Sequence, residues 1–349
     1  MSGCLCFTDK NYMAHDILLF ILGLALVIVG GNYVTTGASA IARHFRLTPM
    51  LIGVTVVAFG SSVPDLVVCM SSTIKGHSEL ALGDVVGSNI IDILLAIGIV
   101  CIVRPVSVDY TSRYFDFPML ALSCLAIFFC GDDILIDHAE SNTVSRSDGL
   151  MLLSLFTIYM ALNIYLNRTS IKSAPGCAIS SASPSLAASS SGSPSATSDN
   201  IWIASLQVAG SLAMLIVAGN WLVDGASGIA ARAGLSEGLI GLTIVSLGSA
   251  APDVATSVIA ALRKETGIAI GNLLGACIFN VFFIMGACSL VAPLNVSTIT
   301  SIDFTVLVAG GIAVWLISAI RGKIGRIAGV FLVALYIAYL IKLILDFTH

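Results

Sequence analysis

Ten runs of apolar residues divide the chain at regular intervals. Each comes near the roughly 20 residues that an α-helix needs to cross a bilayer. They fall at 16–42, 47–74, 79–103, 114–131 and 148–166, then at 201–231, 235–262, 266–292, 303–320 and 327–346. Short polar connections separate them, with one exception. Residues 167–200 are rich in Ser, Ala, Pro and Gly, carry almost no charge, and read as a flexible linker. The pattern predicts an all-α integral membrane protein with ten transmembrane helices. Its organisation is a five-helix unit over 12–166, the Ser-rich linker over 167–200, and a second five-helix unit over 201–349.

The two units repeat each other. Gly60 and Gly248, Pro64 and Pro252, Asp65 and Asp253, Gly87 and Gly275, and Asp92 and Asn280 are all 188 positions apart. The same offset joins Leu51-Ile52-Gly53 to Leu239-Ile240-Gly241 and Thr55 to Thr243. A match that keeps register across three spans indicates duplication. Five spans is an odd number, so the second unit enters the bilayer from the opposite side. The two units then form inverted repeats about a pseudo-two-fold axis in the membrane plane. Folds of this kind place their ion sites at the midplane, on broken helices.

Polar residues interrupt the apolar runs at matched places. Gly60-Ser61-Ser62-Val63-Pro64-Asp65 lies in the second run and Gly248-Ser249-Ala250-Ala251-Pro252-Asp253 in the seventh. Proline has no N–H to donate, so the carbonyl four residues earlier loses its helical partner. An unwound turn of exposed oxygens beside the aspartate is therefore expected in both repeats. One run later come Gly83-Asp84-Val85-Val86-Gly87-Ser88-Asn89-Ile90-Ile91-Asp92 and its counterpart Gly271-Asn272-Leu273-Leu274-Gly275-Ala276-Cys277-Ile278-Phe279-Asn280. Glycines four apart let such a helix approach a neighbour closely. Ser88 and Asp92, also four apart, share one helix face. Asp84 reads as a helix-packing or mouth residue. Asp224, inside the sixth run, reads either as a proton-binding group or as a polar contact. Gly30, Gly31 and Gly37, with Gly219, Gly225 and Gly228, are expected to smooth the long first and sixth spans for sliding past an eight-span core.

Composition narrows the chemistry. Of 349 residues 57% are hydrophobic and only 10% charged, with a mean hydropathy of +1.00; soluble domains carry about 25% charged residues. The net charge of −4, without a basic run, argues against a nucleic-acid partner. The partners implied are the lipid bilayer and cations. None of the five His lies in a span, and the nine Cys form no CxxC, which disfavours the softer metals. What the spans do hold is hard oxygen: the carboxylates of Asp65, Asp92 and Asp253, the Asn280 amide and several hydroxyls. Ca2+ takes about 6–8 such oxygens. Three carboxylates without a basic partner cannot all remain ionised and empty in hydrocarbon. Ca2+, several Na+ or protons must neutralise them, and mutual exclusion of those fillings is the basis of exchange. Eleven basic residues fall in the connections on one side against five on the other. The positive-inside tendency then places both termini on the non-cytoplasmic side and the linker in the cytoplasm.

The two motif pairs resemble the alpha repeats of the calcium/cation antiporter superfamily, in the form found in sodium/calcium exchangers. The likeness covers 53–98 and 241–286 most closely. It implies a secondary antiporter, not an enzyme, that exchanges Ca2+ for Na+ by alternating access at a midplane carboxylate site and needs no cofactor. It implies Asp65 and Asp253 as central calcium ligands, with Asp92 and Asn280 as partners on the neighbouring helices. The hydroxyls of Ser61, Ser62, Ser88 and Ser249, with carbonyls near Ala58 and Ser246, would line sodium sites. Three departures from the family pattern stand out. Asp65 occupies a place usually held by Glu. Asp92 and Asn280 come in the reverse of the usual order. Ala250 and Ala276 stand where hydroxyls are expected. An H+-coupled or K+-dependent antiporter of the same fold is the alternative. An intramembrane aspartyl protease, suggested only by paired aspartates, lacks its G-x-G-D motif, because Ala81 stands two residues before Gly83.

Overall fold

The computed structural model describes residues 13–30, 33, 37, 62–108, 110, 112–132, 142–172, 201–262, 264 and 266–348. Among them run ten helices: α1 (Met13–Gly30), α2 (Val63–Lys75), α3 (Ser78–Val103), α4 (Ser112–Gly131) and α5 (Arg146–Lys172), then α6 (Ile201–Ala233), α7 (Glu237–Leu262), α8 (266–291), α9 (Ser301–Arg321) and α10 (Arg326–Thr348). Eight of them are long and apolar enough to cross a membrane. The other two are α2 and α5. The predicted second span begins at 47, and its residues 47–61 lie outside the described residues.

Local chemistry sets the ends. Pro64 sits in the first turn of α2, where a missing N–H costs nothing. Gly76 ends that helix at φ +86°, its N–H returning to the Ser72 and Thr73 carbonyls. Thr300 and Asp303 form a capping box that starts α9.

Four two-residue strands fix the topology: β1 (Val106–Ser107), β2 (Thr143–Val144), β3 (Leu294–Asn295) and β4 (Lys323–Ile324). β1 pairs antiparallel with β4, and β2 with β3. β1 follows α3 and β3 follows α8, so these two are repeat mates, and Val106 and Leu294 are 188 positions apart. A single crossing by α4 separates β1 from β2, which puts them on opposite faces. β3 pairs with β2 and so lies on the face of β2. Equivalent strands therefore lie on opposite faces, which is the inversion that an odd number of spans per repeat requires.

Helix packing obeys the same symmetry. A Cβ built on Gly329 of α10 would lie 2.6 Å from the Gly98 carbonyl oxygen of α3, and one on Gly149 of α5 would lie 2.8 Å from the Gly286 carbonyl oxygen of α8. Backbone touches backbone at both crossings, because only hydrogen separates them.

The apolar interior has two parts. The larger unites side chains from α2 to α5 and from α7 to α10. The smaller is built from Phe20 and Val27 of α1 and Leu215, Ala218, Leu222, Val223, Ala226 and Ala230 of α6, resting on Val68, Leu80, Ile240 and Val245. α1 and α6 thus make one body and the remaining helices another. The expectation that these six glycines smooth both long helices against the core holds for Gly219, which faces Val67 and Ser71 of α2. It is corrected for others: Gly225 and Gly228 face Phe20 and Asp16 of α1, and Gly30 and Gly37 face Leu215 and Val208 of α6. They hold the two long helices to each other. Gly31 lies outside the described residues. An Asp16–Arg232 pair at 2.6 Å closes the same α1–α6 contact.

Candidate functional site

Four helices supply the polar centre, and three of them, α3, α7 and α8, carry a π segment. α3 turns from α to π geometry at Ile91–Ala96, and α8 does so at Asn280–Met285. These are repeat-equivalent places, and Asp92 and Asn280 stand at their first turns. A π turn inserts an extra residue, is often found at functional sites, and re-aims the side chains beyond it. α2 begins at Val63, so Asp65 lies in its first turn, close to the positive end of the helix dipole.

The second repeat differs from expectation. α7 runs as unbroken α-helix from Ser246 to Leu262 with Pro252 inside it, and no unwound turn occurs at 248–252. Its irregularity comes earlier, as a π segment at Gly241–Val245. The wider turn absorbs the distortion and leaves Ser246 and Ser249 on helix. The Ser246 hydroxyl returns to its own backbone, Oγ donating to the Leu242 carbonyl at 2.7 Å. Gly87 makes room for this. A Cβ there would come 2.6 Å from both the Leu242 carbonyl oxygen and Ser246 Oγ.

Of the residues expected at the site, Asp65, Asp92, Asp253, Asn280, Ser62, Ser88, Ser246 and Ser249 are all buried. Ser61 and Ala58, with Gly60, lie outside the described residues. The Asn280 amide of the second repeat donates to Asp65 Oδ2 of the first at 3.1 Å and approaches Ser88 Oγ at 3.4 Å. Asp92 lies 4.0 Å from the Cys277 thiol of α8. Asp253 accepts from the Asn272 amide at 3.2 Å.

Two further residues belong to this centre. Asp84 is 1% exposed and accepts from Ser249 Oγ at 2.8 Å across the repeat boundary. Asn272 is its counterpart, 188 positions on. Of the two readings of Asp84, burial corrects the mouth position, and the bond to Ser249 fits a residue that joins two packed helices. The signal lay in the spacing: Asp84, Ser88 and Asp92 are successively four apart and form one stripe on α3. Asp224 is also settled, as a polar contact away from the centre, 2.6 Å from Lys75.

The chemistry left over has one sign. Ser62 Oγ, Asp65 Oδ1, Asp84 Oδ2, Asn89 Oδ1, Asp92 Oδ1 and Asn280 Oδ1 are buried and have no hydrogen-bond partner among the described residues. All six are oxygens, and five can only accept. A buried unsatisfied polar group costs about 1–3 kcal/mol, more when charged. No Lys, Arg or His among the described residues pairs with Asp65, Asp84 or Asp92. Nor do three His, Cys, Asp or Glu side chains converge there as a ready metal cluster. The arrangement mixes carboxylate, amide and hydroxyl oxygens. It suits a hard cation that is held through several ligand types and released again.

Comparison with known proteins agrees with this chemistry. The family described as sodium/calcium exchanger protein matches residues 15–165 and 203–345. A putative antiporter CaxA of Alkalimonas amylolytica is 33% identical over 327 residues, covering 92% of this chain and 96% of its own. The inner membrane protein YrbG of Escherichia coli is 30% identical over 93% of this chain and 95% of its own. The sodium/calcium exchanger MaX1 of Methanosarcina acetivorans is 26% identical over 94% of this chain and 98% of its own. Among solved structures, the sodium-calcium exchanger NCX_Mj soaked with Na+ and Sr2+ superposes with a TM-score of 0.57 at 27% identity, covering 94% of this chain and 98% of that one.

Proposed function

The chain belongs to the sodium/calcium exchanger family, and from that premise we propose that it moves Ca2+ one way and Na+ the other through the centre formed by Asp65, Asp92, Asp253 and Asn280. At the coarser level it is a membrane cation/calcium antiporter, not an enzyme, and the aspartyl-protease reading is set aside. The observation that carries the finer reading is the set of six buried oxygens without donors. Ca2+ would draw on three of them, those of Asp65, Asp92 and Asn280, together with the Asp253 carboxylate. Na+ ions would spread over the hydroxyls of Ser61, Ser62, Ser88 and Ser249 and the carbonyls near Ala58 and Ser246. Both fillings draw on the same carboxylates, so one displaces the other. An empty centre leaves those acids unpaired in hydrocarbon, which resists the occluded state and forbids return without a cation.

The separate α1–α6 body supplies the movement in this reading. It slides across the larger core and opens the centre to each face in turn. The helix α5 takes up the first residues of the expected linker, to Lys172, and the remaining segment 173–200 tethers the two repeats on the cytoplasmic side, with both termini on the other.

The test is flux in proteoliposomes. An outward Na+ gradient drives uptake of radioactive Ca2+, and Asp65→Asn and Asp253→Asn each abolish it. Undiminished uptake in both variants rejects the site. H+- or K+-coupling is the second reading, favoured because Ala250 and Ala276 are buried where hydroxyls would serve a sodium ion. Replacing the Na+ gradient by a pH gradient, or adding K+ to the calcium side, separates the three.

A further inference from the structure

Basic residues gather where the β1–β4 pair closes one face of the molecule. Arg104 follows the last residue of α3 in extended conformation, two residues before Val106. Arg326 opens α10, two residues after Ile324. The register that pairs Val106 with Ile324 and Ser107 with Lys323 therefore brings Arg104, Lys323 and Arg326 together. Packing beneath holds them there. A Cβ on Gly329, one turn into α10, would lie 3.0 Å from both Cys101 Cβ and the Ile102 nitrogen of α3. Arg321 adds its charge from the last turn of α9. Arg113 of α4 donates to the Ala319 carbonyl at that same helix end, with its guanidinium 5.5 Å from the Tyr114 ring centroid. Arg104, Arg321, Lys323 and Arg326 are exposed, and among the described residues none of the five has a carboxylate partner.

Like charges set side by side repel and cost stability. The mirror pair shows that the fold does not require them. In β2–β3, Thr143 meets Asn295 and Val144 meets Leu294. Arg146 opens α5 as Arg326 opens α10, but the residue equivalent to Arg104, 188 positions on, is Ala292.

The surroundings of the cluster are a second, independent observation. It lies where four helices, α3, α4, α9 and α10, end or begin, at the depth of the lipid headgroups. Ile320 and Ile327 border it and are 77% and 85% exposed. Tyr110 and Tyr114 are exposed as well, with ring centroids 4.7 Å apart, and tyrosine favours the membrane–water boundary. A soluble anion makes no use of that apolar border, whereas a lipid does.

We propose that this face binds the headgroup of an anionic phospholipid, with the phosphate among Arg104, Lys323 and Arg326 and the acyl chains along Ile320 and Ile327. Guanidinium groups match phosphate oxygens in paired hydrogen bonds. The bound lipid supplies the counter-charge that the chain lacks and steadies the β1–β4 pair. It thereby steadies the end of α3, the helix that carries Asp84, Ser88 and Asp92. The inference is independent of which cations are exchanged.

The experiment titrates the delipidated full-length chain in detergent with phosphatidylglycerol or phosphatidylcholine and reads retained lipid by native mass spectrometry. The unsubstituted protein is expected to retain phosphatidylglycerol in preference. A basic residue at an anionic surface contributes about fivefold, so R104Q, K323Q and R326Q combined weaken phosphatidylglycerol binding on the order of a hundredfold. Retention of phosphatidylcholine stays as it was. Arg104→Lys with Arg326→Lys keeps most of the preference, and Arg146→Gln at the mirror place keeps all of it. Absence of any preference in the unsubstituted protein overturns the proposal, as does an unchanged preference in the triple variant. An equal loss in R146Q also overturns it, because the attraction is then one of overall charge. Displacement of phosphatidylglycerol by equimolar glycerol phosphate marks a soluble-anion site and overturns the choice of a lipid. Should the triple variant fail to fold, Lys323→Glu, an exposed change, decides: weakened retention supports the site and unchanged retention refutes it. No cation gradient enters the measurement, so a failure of the exchanger reading leaves its outcome untouched.

Discussion

In the first repeat α2 and α3 carry Asp65, Asp84 and Asp92; in the second α7 and α8 carry Asp253, Asn272 and Asn280, each 188 positions further on. Both α3 and α8 carry a π turn, at Ile91–Ala96 and Asn280–Met285, within one residue of the 188 offset. The side chains do not match. Wherever an acid of one half meets an amide of the other half or its own, as Asp65 meets Asn280 and Asp253 meets Asn272, the pair closes by a hydrogen bond. The mirror images of those meetings, Asp253 with Asp92 and Asp65 with Asp84, are acid with acid, and they cannot close without a cation or a proton. Duplication built a symmetrical cage, and substitution at two positions made it charge-asymmetric. The lesson is that the cation places can be located by asking where the symmetry supplies an amide on one side and not on the other.

The strongest test exchanges the asymmetry. Asp92→Asn removes one acid from the calcium centre and is expected to weaken Ca2+ binding by about 2–5 kcal/mol, the usual cost of truncating one partner of a buried charged contact. Adding Asn280→Asp returns the acid in mirror position. If the two halves are equivalent frames, the double variant recovers most of the loss in a Ca2+ titration. If it binds no better than D92N alone, the halves differ in backbone and the mirror argument is broken.

The fold was largely legible because its determinants are coarse. Apolar runs of bilayer length fixed the helices, and one offset kept over three spans fixed the duplication. The centre was legible only in part. Asp65 and Asp253 stood out as acids next to Pro inside apolar runs, and Asp92 as an acid four residues after Ser88 in another. Asp84 did not, because its significance depends on Ser249, which comes 165 residues later in the sequence and meets it only across the repeat boundary. The break at Pro252 was misplaced for a related reason. A proline removes a donor wherever it sits, but tertiary packing decides which turn yields. Here the π segment at Gly241–Val245, wedged against Gly83 and Gly87, is the turn that does.

The mirrored crossings offer a second test, aimed at the backbone frame alone. Gly329→Val forces two methyls toward the Gly98 carbonyl, and Gly149→Val forces them toward Gly286 and Ser289. Overpacking of this kind costs about 1–3 kcal/mol, and symmetry predicts similar losses at both sites in thermal unfolding of the detergent-solubilised protein. Gly210 of α6 has open space around it, so Gly210→Ala serves as the control. It should raise stability by about 0.4–1 kcal/mol through the unfolded chain. A large loss at one crossing and none at the other would show that the second repeat has drifted from the first.

The smallest effect belongs to a contact that one half has and the sequence denies the other. Lys75, at the end of α2, reaches Asp224 Oδ1 at 2.6 Å and the Asn220 carbonyl at 3.0 Å, tying the core to the α1–α6 body. The positions equivalent to this pair are Arg263 and Thr36, which offer no acid. The Lys75–Asp224 pair therefore has no acid–base counterpart at the equivalent positions of the other repeat. Asp224 is half-exposed, and such pairs contribute about 0.2–1 kcal/mol. Asp224→Asn should accordingly leave thermal stability almost unchanged, with any difference fading in high salt. Its visible consequence is directional. Weakening a tie that exists in one half biases the two facing states unequally, so the apparent Ca2+ affinities measured from the two sides of oriented vesicles should shift relative to each other by severalfold at most. Equal affinities before and after the substitution would mean that the tie persists in both states and plays no part in the exchange of access.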